Sequence, residues 1–589
     1  MLSSEWSDAP GRAIVEADRA LLYALVVALF ASMRREPGDL RWMLRGVAVA
    51  LLFVCVVGLV TRLLPDTFSG DLGITPGRLS HPVTYWNALG VMAVMGALLF
   101  LHFSADAAEP LAVRALSAGA VPILAVTALF TFSRGAIVVG ALGIVLYLVL
   151  TLGAGQLAAL LATAVPTAVA LVSAYGAEAL ASTDPTQPLA VEQGKDVALV
   201  LVVAVVNAIV IRAALGVAAP RITRLVARRT TEGVAVRAAW GLGALAAVVV
   251  LLAAGAPQRA SDAVDTFFHG QAKPAATTDL RARLGAAESS GRVEQWDVAL
   301  DGFAEEPLHG HGAGMFEALW NEDRSQVERM IDAHGLYQEV LAELGLVGAL
   351  LVVIALVAML AGFALRMRGR DRALGAALVA VGVVWCAHAG ADWDWETPST
   401  GIWLFALGGL AAARARLPGE EVERPSGRWT VVAALCLIAV AIAPLVVMLS
   451  ERRVATAEAA LVAGDCDTAA DEALSSIDAL NTRREPFEIL GFCRAQAGFP
   501  RQGRDAMLKA VERDPANWEA RYGLSLVRAQ AGEDPRPDLA AARRMSPLEP
   551  LVVSTQERIA EAARSEWPQI AVEEQRAAIE SSRLTVADQ

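Results

Sequence analysis

Four places in this sequence combine residue types suited to chemistry with an exposed position at the edge of an apolar run. In Thr131-Phe-Ser-Arg-Gly135, Arg134 stands alone between two such runs. A guanidinium held there can grip a diphosphate in forked geometry, although a snorkelling hairpin arginine is the plainer reading. Arg292, in Gly291-Arg-Val-Glu-Gln-Trp296, is a second anion-binding candidate or an ordinary loop charge. His334 lies just before the apolar run that starts near Val340. Its near-neutral pKa suits a general base acting on an acceptor hydroxyl, opposite paired cations that stabilise a departing diphosphate. The bland alternative is a plain interfacial histidine.

The fourth place is His388-Ala-Gly-Ala-Asp-Trp-Asp-Trp-Glu396. Asp392, Asp394 and Glu396 suit a metal or sugar hydroxyls, and Trp393 and Trp395 suit stacking on sugar. An interfacial aromatic belt with solvated acids accounts for them equally. His309-x-His311 supplies two of the three protein ligands that catalytic zinc usually takes. Spacing offers no third, so neither a metal nor another cofactor is expected.

The elements that must position these residues are membrane helices. Of the 589 residues 55% are hydrophobic, the mean hydropathy is +0.47, and the apolar residues are clumped in long runs such as Val200–Gly216 and Val234–Ala254. Runs of about 20 apolar residues meet the thickness of a bilayer, and internal backbone pairing makes them helices. The pattern predicts an all-α, polytopic bundle of about twelve spans, at 19–33, 43–64, 83–103, 113–132, 135–153, 157–177, 196–216, 234–255, 340–366, 373–391, 399–415 and 429–449. Arginines crowd one set of loops: Arg34, Arg35, Arg41 and Arg45; Arg221, Arg224, Arg228, Arg229 and Arg237; Arg366, Arg368, Arg370 and Arg372; Arg414, Arg416, Arg424 and Arg428. Those loops read as cytoplasmic. The loops at 65–82, 178–195, 256–339 and 392–398 then lie outside, together with the C-terminal domain. The net charge of −12 gives no ground for a nucleic-acid partner.

After Ser450 the composition turns charged and Ala-rich, which divides the chain into a transmembrane domain, 1–449, and a soluble domain, 450–589. In the latter Gly464, Gly498 and Gly532 recur every 34 residues, each after an alanine. That is the tetratricopeptide period, one helix-turn-helix per repeat. Such arrays usually bind a protein partner; a stabilising cap is the alternative. Cys466 and Cys493 fall on antiparallel neighbouring helices of this array, where a disulfide is plausible outside the cytoplasm, as are two packed thiols.

These motifs together resemble the O-antigen ligase family of bacterial membrane glycan transferases, which includes O-antigen polymerases and protein O-oligosaccharyltransferases. The family's histidine is followed by an Asn, Ser or Gln, nine residues, then Gly-x-x-Gly. Here His334-Gly335 is followed by nine residues and Gly345-Leu-Val-Gly348, with Gly335 replacing the amide or hydroxyl residue. Ser133-Arg134-Gly135, Gly291-Arg292, Pro307-Leu-x-Gly-x-Gly-x-Gly-x-Phe316 and Tyr85-Trp86-Asn87 also resemble family motifs. Ser4-Glu-Trp-Ser-Asp-Ala-Pro10 resembles a stretch that follows the family's first helices, which implies that the chain begins late.

The resemblance covers roughly 4–415 and implies metal-independent, inverting transfer of a glycan from an undecaprenyl-diphosphate donor to a lipid, glycan or protein acceptor at the outer face of the bacterial inner membrane. Arg134 and Arg292 would hold the diphosphate, His334 would act on the acceptor, and Asp392 and Asn87 would position substrate. A repeat-unit polymerase is the variant within the family. A transporter and a non-catalytic scaffold working through the repeat domain are the other classes. Against the transporter, the spans show no internal repeat and no pair of broken helices.

Overall fold

The computed structural model describes residues 2–33, 36, 38–68, 70, 77–182, 184–227, 240–242, 255–270, 279–368, 371–413 and 427–587. Most of the span expected at 234–255 lies outside the described residues. So do Arg34, Arg35, Arg228, Arg229, Arg237, Arg370, Arg414, Arg416 and Arg424, and the side chains of Arg221 and Arg224.

Among the described residues the architecture is helical, and the β structure is one bridge between Ser182 and Asp279. Among the described residues, eight helices are long and apolar enough to cross a membrane: Asp39–Leu63, Trp86–Ala105, Leu111–Phe130, Arg134–Thr151, Ala154–Gly176, Pro188–Ala218, Leu336–Arg366 and Arg372–Ala389. The protein is a polytopic helical bundle. Of the remaining expected spans, 399–415 corresponds to the shorter apolar helix Pro398–Ala412, and 429–449 falls within Gly427–Ala463. The span at 19–33 overlaps Pro10–Ser32, which carries Glu16, Asp18 and Arg19.

The chain divides into two compact units. One comprises Leu25–Val293 and Val353–Arg416; the other comprises Met1–Ala24, Glu294–Val352 and Leu417–Gln589. The boundary expected at 449/450 falls inside the continuous helix Gly427–Ala463.

At the centre of the first unit is the Trp86–Ala105 helix, buried along nearly its whole length. It packs against Leu111–Phe130, Arg134–Thr151, Ala154–Gly176 and Arg372–Ala389. Small residues permit this crowding: a Cβ on Gly90 would lie 2.9 Å from Thr131 Oγ1. The Arg134–Thr151 helix instead exposes Val138, Leu142, Val145 and Val149, a three-and-four-residue stripe along one face. Lipid is the natural solvent for such a face.

In the second unit the C-terminal residues form successive antiparallel helix pairs. Cys466–Ala479 packs on Gly427–Ala463, Pro500–Arg513 on Glu485–Gln496, and Arg536–Met545 on Trp518–Gln530. Gly464, Gly498 and Gly532 sit at the turns with φ of 81°, 85° and 75°, the left-handed helix stop that favours glycine. Cys466 and Cys493 are joined as a disulfide, their Cα atoms 5.2 Å apart.

Candidate functional site

In the first unit the sequence candidates Asn87, Arg134, Arg292 and Asp392 gather around the ends of several helices. Asp392 is the hub. It lies in the turn between Arg372–Ala389 and Pro398–Ala412 and is buried. Its Oδ2 accepts from Arg292 Nη2 at 2.8 Å and from Asn87 Nδ2 at 2.7 Å. Its Oδ1 accepts from the Tyr85 hydroxyl and from the Trp393 backbone N–H at 3.0 Å. Burial and then the neighbouring Asp392 charge push the Tyr85 phenol up, so it stays a neutral donor. Asn87 also donates to the Tyr85 oxygen at 2.8 Å. Its side-chain oxygen accepts from Arg78 at 3.1 Å.

Arg78 is a member of this site that the sequence motifs missed. Its guanidinium is buried, bonds the backbone oxygens of Thr131 and Phe132 at 3.0 and 3.2 Å, and lies 4.3 Å from the Trp86 ring centroid. Burial, helped by Arg283 and Arg292 nearby, lowers its pKa to about 9, which leaves it charged at neutral pH. Arg283 and Arg292 are also electrostatic neighbours of Arg134. Four guanidiniums therefore share one region. A signal was present in the sequence: Arg78, like Arg134, falls in a segment where the charge rule disfavours arginine.

Arg134 begins its helix directly after Ser133, whose hydroxyl caps it by accepting from Ala136 N–H at 3.4 Å. Phe132 turns the chain with φ 49°. Arg134 donates to the backbone oxygens of Ala286 and Glu288, the latter at 3.0 Å, and to Ser290 Oγ at 3.1 Å. Ser290 and Gly291 both have positive φ, 56° and 86°, and turn the chain into the Arg292–Glu305 helix. The same loop thus carries Arg292 and fastens Arg134. Gly135 leaves space beside His388, whose ring would lie 3.6 Å from a Cβ there. His388 Nδ1 pairs with Asp394 Oδ2 at 2.6 Å, and burial pushes the Asp394 carboxyl up against the lowering effect of His388.

The tryptophans of this turn already pack on aromatic rings of the protein. Trp393 lies on Tyr85 with ring centroids 5.4 Å apart, and Trp395 meets Phe405 edge-on at 6.2 Å.

His334 belongs to the second unit. It stands in the turn before Leu336–Arg366 with φ 48°, a left-handed conformation that non-glycine residues rarely hold. Its backbone oxygen accepts from Trp296 Nε1 at 3.4 Å, and Glu339 anchors the preceding Ala333 N–H at 2.8 Å.

The glycine motifs on either side of His334 interlock. Gly345 breaks the helical geometry at φ 61°, ψ −163°. A Cβ there would come within 2.4 Å of the Leu308 carbonyl carbon, and one on Gly310 within 2.3 Å of that of Glu343. The two segments also exchange hydrogen bonds, Gly312 N to Glu343 O at 2.8 Å and Leu346 N to Pro307 O at 2.9 Å. A Cβ on Gly312 would strike Ser7, and one on Gly314 would strike Arg12. The alternating glycines admit neighbouring chain on both sides. His309 and His311 point to backbone oxygens of Gly310 and Gly302 at 2.9 and 3.0 Å.

Residues 197–353 match the family model of the O-antigen ligases. No curated protein matches it. The matched segment contains Arg292, His334 and both interlocked glycine motifs. Arg78, Asn87, Arg134 and Asp392 lie outside it and enter the site through the fold. With its long apolar helices the chain is a multi-pass membrane protein, and the matched family is one of membrane glycosyltransferases of ligase or polymerase type.

Proposed function

We propose that the protein transfers a glycan from an undecaprenyl-diphosphate donor to an acceptor hydroxyl at the outer face of the bacterial inner membrane. The observation that carries this reading is the gathering of Arg78, Arg134, Arg283 and Arg292 as electrostatic neighbours, with Arg292 bonded to Asp392. Clustered guanidiniums with few counter-charges attract a compact polyanion, and guanidinium forks fit phosphate oxygens. In this reading Arg134 and Arg292 hold the donor diphosphate and neutralise it as it departs. Asp392 and Asn87 keep Arg292 in place. His334 takes the acceptor proton, and direct attack by the acceptor inverts the anomeric centre without a metal. The alternating loop charges favour an outward-facing site, and the Cys466–Cys493 disulfide suits an oxidising compartment for the repeat domain.

The test is transfer from a lipid-linked oligosaccharide in proteoliposomes. Arg134→Ala, Arg292→Ala and His334→Ala are each expected to cut turnover by about a hundredfold. If the arginine and histidine variants retain turnover while removal of 450–589 abolishes glycan assembly in cells, the protein is a scaffold and the reading fails.

A further inference from the structure

The turns between successive helix pairs of the C-terminal array line one edge, and that edge is occupied by the protein's own chain. Asp514 follows Pro500–Arg513, Glu519 opens Trp518–Gln530, and Ser546 and Glu549 lie between Arg536–Met545 and Pro550–Glu561. Three arginines reach them from elsewhere in the sequence. Arg12 Nε pairs with Asp514 at 2.8 Å, while its Nη1 pairs with Glu317 at 2.6 Å. Arg324 Nη2 bonds Ser546 Oγ at 3.0 Å and Glu549 at 3.4 Å, its side chain fully buried. Arg329 bonds Glu549 at 2.8 Å and Glu519 at 3.4 Å, and covers the Trp518 ring at 4.7 Å. Close backbone approach accompanies these pairs, since a Cβ on Gly11 would lie 2.5 Å from Thr482 O.

The contacts continue inward to His334. Arg324 also folds its own loop by donating to the backbone oxygens of Val327 and Glu328 at 2.9 and 3.1 Å. Trp320 Nε1 bonds Glu328 O at 2.9 Å. Trp320 shares a buried cluster with Phe316, Val298 and Ala333, the residue before His334. A charged side chain buried this fully is costly unless its partners are in place, so the acidic edge and the loop fix each other's geometry.

We propose that the repeat array acts in cis: its acidic turn edge is the receptor for the 316–335 loop and holds His334 in its working position. The array's ligand at this edge is thus a segment of the same chain that presents Arg324 and Arg329 to it, which an external protein would need to displace. Arg324, Arg329 and Glu549 are positioning residues, not groups that touch substrate. The proposal rests on the reading of His334 as the acceptor-side residue.

The experiment uses the full-length protein in nanodiscs. Glu549→Gln, Arg329→Gln and His334→Ala are compared by hydrogen exchange of residues 316–335 and by transfer kinetics with a lipid-linked oligosaccharide donor. Glu549→Gln is expected to speed loop exchange about tenfold and to lower kcat about tenfold, with donor KM unchanged. Arg329→Gln, altering a half-exposed side chain, is expected to act in the same direction less strongly, and decides the matter if Glu549→Gln loosens the whole array. Wild-type loop exchange in both variants, or faster exchange with unchanged kcat, overturns the proposal. His334→Ala separates the two readings: it is expected to cut transfer about a hundredfold with wild-type loop exchange, and full activity in this variant sinks the histidine assignment while the exchange data still test the clamp.

Discussion

The guanidinium of Arg292 donates to Asp392 Oδ2 at 2.8 Å across one hundred residues of chain. The pair joins the loop after Ser290 to the turn before Pro398, and Tyr85 and Asn87 complete the shell around the acid. Asp392 is therefore the counter-charge of Arg292 and an electrostatic neighbour of Arg78. In the proposed reaction, the donor diphosphate would compete with this one carboxylate for Arg292.

Asp392→Ala is expected to leave Arg292 and the Tyr85 hydroxyl without their acceptor and to cost about 3 kcal/mol. Thermal unfolding in detergent measures this. Asp392→Asn keeps the shape but removes the charge, so inorganic pyrophosphate should bind more tightly while turnover falls. Tighter binding is absent if Arg292 does not contribute to the anion site.

The long apolar runs revealed the bundle because a spanning helix needs little besides length and hydropathy. The glycine period revealed the helix pairs because each left-handed turn, at Gly464, Gly498 and Gly532, needs the same residue. The site candidates were legible where one residue broke a local pattern, as Arg134 did by standing alone between two apolar runs, or where a family motif kept its spacing, as Gly345 did after His334. Arg78 was harder to see, because its role comes from partners at Thr131 and Phe132, 53 and 54 residues away. The docking of Arg324 on Glu549 spans 225 residues. No spacing rule relates a loop arginine to an acid in a repeat turn, so this link required the fold.

The disulfide closes a segment with a sequence separation of 27 residues between Cys466 and Cys493. Constraining the unfolded chain over that separation is worth about 3 kcal/mol. Cys493→Ser, or reduction, is expected to lower the unfolding temperature of the repeat helices. An unchanged melting profile under reducing conditions contradicts this.

Asp332 supplies a pH dependence. Burial, and then the nearby Glu16, push its carboxyl up to about 7, with Arg19 opposing and Glu317 adding to the rise; Glu339 and Glu343 are further acids near it. A raised folded-state pKa means that the native protein binds the proton more tightly than the unfolded chain does. Its stabilising contribution is complete below the unfolded pKa near 4 and is lost as pH rises towards 7. Asp332→Asn is expected to flatten that slope and to raise stability at pH 8 by roughly 2 kcal/mol. Chemical denaturation at pH 5 and pH 8 would show it; an equal slope in both proteins rejects the assignment.

Two glycines with similar positive φ should respond very differently to alanine. Gly464 has φ 81° and open space around a Cβ, so Gly464→Ala bears only the left-handed backbone cost of about 1 kcal/mol. Gly345 has φ 61° with ψ −163°, a region open in practice only to glycine, and its Cβ would sit 2.4 Å from the Leu308 carbonyl carbon. Gly345→Ala must therefore push Pro307–Gly314 off the helix, at about 3 kcal/mol or more. Because His334 stands at the head of that helix, Gly345→Ala should lose transfer activity even at temperatures where the protein stays folded, whereas Gly464→Ala should keep it. Equal activity and equal melting temperatures for the two variants would show that the interlock has no bearing on the site.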